Sequence, residues 1–211
     1  MGQSTQIATF SRFTQVSRET ITSLIKYENY LIKSNKITNL IGRSTINQIW
    51  LRHFLDSSQV IDFIDKNDSN LVDLGSGAGF PGLVIAILAK DRKIPLKVKL
   101  IEKSPRKASF LKEIIQNLNL EVEVLNLNVL KQPGKLRADL IIARAFKPLK
   151  IILEFLDKNT ENWNKVFLFL GKTGQDELLQ ASKSWYIKYK QRMSVTSNDS
   201  IVIEINKLTK K

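Results

Sequence analysis

Asp73 and Glu102 are two acids that a glycine-rich turn brings within reach of a single ligand. Asp73 closes the apolar run Leu71-Val72, and Gly75-Ser76-Gly77-Ala78-Gly79-Phe80 follows at once. Four of the nine glycines, Gly75, Gly77, Gly79 and Gly82, fall within eight positions. Glycine lets a backbone take positive φ and approach a ligand closely. A helix beginning just after such a turn adds free N–H groups. Glu102 ends the next apolar segment, "LKVKLIE", where a carboxylate can accept from two ribose hydroxyls. Two ligand classes fit: a dinucleotide, and S-adenosylmethionine (SAM). The compact G-x-G-x-G spacing and the acid before it favour SAM, whose amine and sulfonium are cationic. A glycine turn used only for close packing is the third reading.

The elements that must hold these residues alternate. "NLVDLG", "LKVKLIE", "EVEVLNLNVL", "ADLIIARAF" and "NKVFLFLGK" read as strands. "PGLVIAILAKD", "SPRKASFLKEIIQNLNL" and "LKIILEFLDK" read as intervening helices, the second with Ser104 as N-cap and Pro105 at its first position. "WYIKYKQRMSV" and "NDSIVIEINK" alternate without a helix between them and predict an antiparallel pair. The pattern predicts an α/β doubly wound sheet with its ligand at the carboxyl edge. Upstream, Ile21, Leu24, Ile25, Leu31 and Ile32 recur at helical spacing. Ile46, Ile49, Trp50, Phe54, Ile61 and Ile64 predict one further helix over 46–64, after a turn at "NKITNLIGRS". Residues 1–66 are therefore expected to form a helical N-terminal cap, and 67–211 the ligand-binding domain.

Charge narrows the partner. Lys and Arg number 33 against 20 Asp and Glu, a net charge of +13. Such a balance attracts polyanions, with nucleic acid first and an anionic membrane surface second. No apolar segment is long enough to span a bilayer, the longest clean run being Leu83 to Ala89. No secretory signal is read at the start, and Gln6 stands where a myristoylation pattern needs Ser or Thr. A cytoplasmic protein is expected. The chain contains no cysteine, so disulfides, zinc–thiolate sites and thiol nucleophiles are excluded.

For a methyltransferase, the missing cysteine closes the covalent route to pyrimidine carbon-5. The segment "IIARAFKPL" carries no Asn/Asp-Pro-Pro-aromatic motif of the kind used on exocyclic amines. Guanine N7 has an exposed lone pair and loses no proton on attack, so it needs alignment more than a strong base. Arg144 ends an apolar strand at the ligand edge, where it can meet a base or cofactor, or form an ion pair. Phe146 can stack an unpaired base or sit in the core. His53 and Asp56 are three apart and either line the pocket mouth or pack the cap, and Arg52 is spaced to pair with Asp56. Lys103, Arg106 and Lys107 crowd a helix start, as a phosphate site or as solvated charge. Three rivals remain: a methyltransferase of small molecules or proteins, a nucleic-acid-binding module with an inactive loop, and a dehydrogenase.

The ordered segments "NKITNLIG", "RHFLDS", "VDLGSGAGFPG", "EKSPRKASFLKE" and "ARAFKPL" resemble the bacterial small-subunit ribosomal RNA guanine-N7 methyltransferases, the glucose-inhibited division protein B family. The resemblance covers most of the chain. It implies a Rossmann-like class I SAM-dependent methyltransferase fold with a helical N-terminal cap. It implies methyl transfer to a guanine N7 of 16S ribosomal RNA. A monomer without a metal, acting on the free RNA or a small-subunit particle, is expected. The reading of the loop itself makes Asp73, Gly75, Gly77 and Gly79 cofactor contacts; carried over by position, Gly75 and Phe80 contact the cofactor. Glu102 holds its ribose, Val129 and Leu130 lie along its adenine, and Arg144 reaches the cofactor or the target base. The family's Arg-Ala-Glu reads Asn128-Val129-Leu130 here, so contact there runs through backbone or packing. Its Leu-Lys-Gly reads Leu170-Gly171-Lys172, which displaces a lysine by one residue.

Overall fold

The computed structural model describes residues 2–132 and 134–211. Seven strands form one sheet: β1 (Asn70–Leu74), β2 (Lys97–Ile101), β3 (Val122–Leu125), β4 (Leu140–Arg144), β5 (Lys165–Leu170), β6 (Trp185–Ser194) and β7 (Ser197–Lys210). Their order across the sheet is β3-β2-β1-β4-β5-β7-β6. The first five run parallel, and β7 inserts antiparallel between β5 and β6. Strand order therefore reverses between β1 and β4, the kind of switch point at which open α/β sheets leave a crevice. Asp73 stands opposite Leu100 of β2 and Ile142 of β4, in the middle of the sheet.

Six helices matter here: α1 (Gln3–Thr14), α2 (Arg18–Asn35), α3 (Gly82–Asp91), α4 (Pro105–Asn117), α5 (Leu149–Asn159) and α6 (Gly174–Ala181). α3 and α4 share one apolar core with the cap; α5 and α6 pack on the other face. Every residue of α3 from Gly82 to Ala89 is buried, because the sheet covers one side and the cap the other. That double cover explains why "LVIAILA" has no polar face. Ser104 takes the N-cap position of α4, with Pro105 at its first turn, but its hydroxyl makes no capping bond. Its backbone N–H donates instead to Glu102 Oε1 at 2.7 Å.

The expected helix over 46–64 is not continuous. Arg43–Gln48 is 3₁₀, Trp50–Leu55 winds as a π-helix, Asp56–Ser58 makes one α turn, and Ile61–Phe63 is 3₁₀ again. The apolar spacing holds: Ile49, Trp50, Phe54 and Ile61 are all buried. The wider π turn is stabilised from outside, since the Arg52 carbonyl accepts from Arg144 at 3.2 Å. It also re-aims its side chains. Arg52 donates to the Thr196 carbonyl at 3.3 Å and leaves Asp56 to Arg144, so the expected Arg52–Asp56 pair is replaced. The β3 segment stops at Leu125 and turns into a short 3₁₀ piece, Val129–Lys131. α6 and a two-residue pairing of Leu136–Arg137 with Thr160–Glu161 carry too few periodic residues to be read from sequence.

Candidate active site

A cleft of about 490 Å³ opens at the carboxyl ends of β1, β2 and β4. Its size falls in the range of roughly 300–1,000 Å³ usual for small-molecule sites. The glycine loop forms one wall. Gly75 takes φ +73°, and a Cβ there would lie 2.5 Å from the Phe146 ring, so only glycine lets that ring close over the loop. Gly79 takes φ +99°, with the Tyr27 hydroxyl 2.5 Å from where its Cβ would be. Gly79 therefore lies outside the cleft lining; it makes room for the cap. Tyr27 is fully buried, donates to the Ala78 carbonyl and stacks on Phe80 at 5.6 Å. Burial holds its phenol well above the ordinary range.

Glu102 enters the cleft from β2. Its Oε2 accepts from the Gly77 N–H at 2.9 Å and its Oε1 from Ser104. A carboxylate has about four acceptor positions, so each oxygen keeps one. Ile101, Leu127, Val129 and Leu130 give the same end an apolar wall. Val129 is buried; Leu130 is 36% exposed at the rim. The Asn128 side chain accepts from the Leu130 N–H and sets that turn.

Asp73 departs from expectation. It is fully buried beneath the loop rather than in the cleft lining. Its Oδ2 accepts from the Gly82 N–H at 3.0 Å, while Oδ1 has no hydrogen-bond partner. Burial pushes its carboxyl up to about 7, against the pull of the Gly82 bond. An orphaned buried acceptor directly under the loop suits a ligand with a cationic amine. With the free acceptor positions of Glu102 and the apolar wall of Ile101, Leu127, Val129 and Leu130, the residues present fit SAM.

Arg144, at the end of β4, is where the cap meets the sheet. Its Nη1 donates to Asp56 Oδ2 at 2.9 Å, and its Nη2 contacts His53 Nδ1 at 3.1 Å. A guanidinium can only donate, so Nδ1 of His53 is the acceptor. The proton then sits on Nε2, 2.9 Å from Thr45 Oγ1. Burial, followed by the Arg144 and Arg52 charges, lowers the imidazole to about 3, so it is neutral at physiological pH. Its ring lies flat on Phe80, centroids 4.8 Å apart. Asp56 also accepts from Ser194 Oγ and Thr196 Oγ1, in the turn between β6 and β7. Both Arg144 and His53 line the cleft, while Asp56 sits behind them.

Lys103, Lys107 and Lys147 also line the cleft; Arg106 and Lys172 do not. Thr45 and Tyr27 were not singled out from sequence. Tyr27 is spaced with Leu24 and Leu31 on one helical face and reads as core, which it also is. Leu40, Ile41 and Gly42 close the cleft from the cap. Asn35 shapes their turn by accepting from the Leu40 and Ile41 N–H groups at 2.8 and 2.9 Å. Among the described residues no cluster of His, Cys, Asp and Glu could hold a metal, and no helix is long and apolar enough to cross a membrane.

Known proteins share this fold. A SAM-dependent methyltransferase from Aquifex aeolicus superposes with a TM-score of 0.57 at 17% identity, covering 82% of this chain and 97% of that one. TrmK of M. capricolum, solved with S-adenosyl-homocysteine, gives 0.54 at 17% identity over 72% of this chain and 67% of its own. These likenesses establish the class I methyltransferase fold. A ribosomal RNA small subunit methyltransferase G from Pelagibacter ubique is 38% identical over 198 residues, 93% of this chain and 92% of that relative. Its namesake from Rickettsia akari is 35% identical over 196 residues, 93% and 98%. The model of one family matches residues 20–203, and by that match the chain belongs to the rRNA small subunit methyltransferase G (GidB) family.

Proposed function

We propose that the chain transfers a methyl group from SAM to N7 of a guanine in 16S ribosomal RNA. The observation that carries the N7 reading is the state of the titratable groups lining the cleft. His53 is neutral, with Nδ1 engaged by Arg144. Both Glu102 oxygens accept backbone N–H groups, and the other ionisable lining groups are the cations Lys103, Lys107, Arg144 and Lys147. The one carboxylate among the described lining residues is held by two backbone N–H groups and turned to the ribose hydroxyls, and the one imidazole is held by Arg144, so neither is placed as a base for the nucleophile. A nucleophile that loses no proton suits such a site. SAM supplies a methyl group on a sulfonium, so the donor needs no further activation.

Gly75, Gly77 and Phe80 frame the cofactor on the loop side. Glu102 offers its two remaining acceptor positions to the ribose hydroxyls, and Val129 and Leu130 cover the adenine. Asp73 and Gly79 act from beneath, one as a buried acceptor and one as the space that Tyr27 occupies. Arg144 is a positioning residue that clamps the cap to the cleft wall, where His53 and Phe80 limit the entry of water. The lysines at the rim attract the RNA backbone, so binding should weaken steeply with salt. The protein acts as a cytoplasmic monomer on a folded small-subunit particle or its RNA.

Transfer of labelled methyl from SAM to small-subunit particles and to purified 16S RNA, with the modified base identified, tests this. Label on guanine N7 is the expected result. Label on another base, or none despite measurable cofactor binding, overturns the N7 assignment. Sedimentation of the protein alone checks the monomer.

A further inference from the structure

A second cavity of about 470 Å³ lies beside the cleft, over the carboxyl ends of β4 and β5 on the α5–α6 face. It shares Ala145, Phe146 and Lys147 with the cleft, so the two spaces are separated only by this short loop. Two half-buried aromatic residues, Phe146 and Phe169, stand in its wall, and Pro148 and Ile152 add apolar lining. One acid lines it: Glu177, from the first turn of α6. Ala145 holds φ +50°, a conformation unusual for a residue with a Cβ, at the point where the two spaces meet.

Glu177 already has two partners. Its Oε2 accepts from the Leu149 N–H at 2.7 Å, which satisfies the start of α5, and its Oε1 accepts from Thr173 Oγ1 at 2.8 Å. These contacts fix the carboxylate and leave one acceptor position on each oxygen. Guanine presents N1–H and N2–H side by side, a pair of donors that matches a carboxylate. Adenine has no such pair. The O6 of the same base needs a donor, and Lys147 lines both spaces.

We propose that this second cavity receives the target guanine, with Glu177 reading its N1–H and N2–H edge, and that N7 then faces the cleft past Phe146. The inference rests on the N7 reading above and adds the residue that selects the base. It also assigns Glu177 a part in the rate. The N7 lone pair forms the new N–C bond as the S–CH₃ bond breaks. No proton is lost, and positive charge passes from sulfur to the guanine ring. A carboxylate on N1–H interacts more strongly with that cationic ring than with the neutral one, so it favours the transition state over the ground state.

The experiment uses the full-length protein and small-subunit RNA carrying guanosine, inosine or 1-methylguanosine at the methylated position. Inosine lacks the N2 donor and 1-methylguanosine lacks the N1 donor. Wild type is expected to act on either analogue on the order of 10- to 100-fold more slowly than on guanosine. Glu177→Gln keeps an oxygen for the Leu149 N–H, and its fold and cofactor affinity are checked by melting and calorimetry. It should lower kcat on guanosine more than it raises KM. It should also shrink the guanosine–inosine ratio to within about threefold, as expected when the coupled partner is gone. A wild type indifferent to either analogue overturns the inference without any variant. So does a Glu177→Gln enzyme that still discriminates as wild type does. If wild type leaves guanosine RNA unlabelled, the N7 reading fails and takes this inference with it, a result distinct from equal labelling of all three.

Discussion

The glycine loop and the cap junction meet at Phe80, whose ring lies against His53 and Arg144, yet they are built by opposite means. The loop is local and made of backbone. Gly75, Gly77 and Gly79 fall within five residues, and the bonds that matter are N–H groups given to Asp73 and Glu102. The junction is remote and made of side chains. Arg144, Asp56, His53, Ser194 and Thr196 come from three distant segments, with pairings 88 to 140 residues apart. A local backbone cradle can be ligand-ready through its conformation alone. A junction of charged side chains exists only when the whole chain has folded, and it ties stability to the geometry of the site.

Breaking the junction should have the larger effect on stability. Asp56→Ala leaves Arg144 without its carboxylate in a pair whose side chains are only 15% and 17% exposed. Loss of one partner from such a pair costs about 3 kcal/mol. Chemical denaturation should show that loss, and because Phe80 is shared by junction and loop, cofactor affinity by calorimetry should fall with it, by about threefold. Gly75→Ala inverts the pattern. A Cβ at positive φ costs about 1–2 kcal/mol, and here it also meets Phe146. Cofactor affinity should fall on the order of tenfold, with the junction intact. Tyr27 joins the loop, at Ala78 and Phe80, to the cap, at Phe54, so Tyr27→Phe sharpens the contrast. It removes the hydrogen bond to the Ala78 carbonyl, worth about 1 kcal/mol, and should move stability and affinity together.

The smallest effect is on pH dependence. His53, at about 3, stays neutral in the folded protein while the unfolded chain binds a proton below about 6.5. Its contribution therefore falls as pH drops through that window. Asp73, raised to about 7, works the other way: the folded protein holds a proton that the unfolded chain releases above about 4. Its contribution grows as pH drops below 7. From about pH 4 to 6.5 the two slopes oppose each other, one proton against one. Wild-type stability should owe little net slope to this pair. His53→Gln should gain stability on acidification relative to wild type and Asp73→Asn should lose it, read by denaturation at intervals between pH 4.5 and 7.5.

The same contrast explains what was legible in the sequence. The loop, Glu102 and the alternation of strands and helices follow from residues adjacent in the chain, so pattern and spacing reveal them. The hairpin of β6 and β7 was legible too, since alternation without an intervening helix leaves few alternatives. Asp73 was recognised as important, but its depth was not, because an acid after two apolar residues looks the same at a strand's tip as one residue inside it. The 43–63 segment kept its apolar spacing and hid its winding: a π turn held open by Arg144 depends on a residue about 90 positions away. The partner of Asp56 changed for the same reason. α6 escaped because "GQDELLQA" offers only Leu178 and Ala181 to the core beyond its first glycine.

The place of β7 sets an order of assembly. β7 lies between β5 and β6, although it follows both in the chain. Until residues 197–210 have left the ribosome, Val166 to Leu170 present an unpaired, largely buried-type edge, and β6 has nothing to dock on. A nascent chain can thus complete the loop wall of the cleft well before it can close the junction, because Ser194 and Thr196 are fixed by that same hairpin. Arrested chains ending before Ser197 should bind cofactor poorly and precipitate through the open β5 edge, as exposed apolar strand edges do. Release of chains carrying β7 should restore both at once.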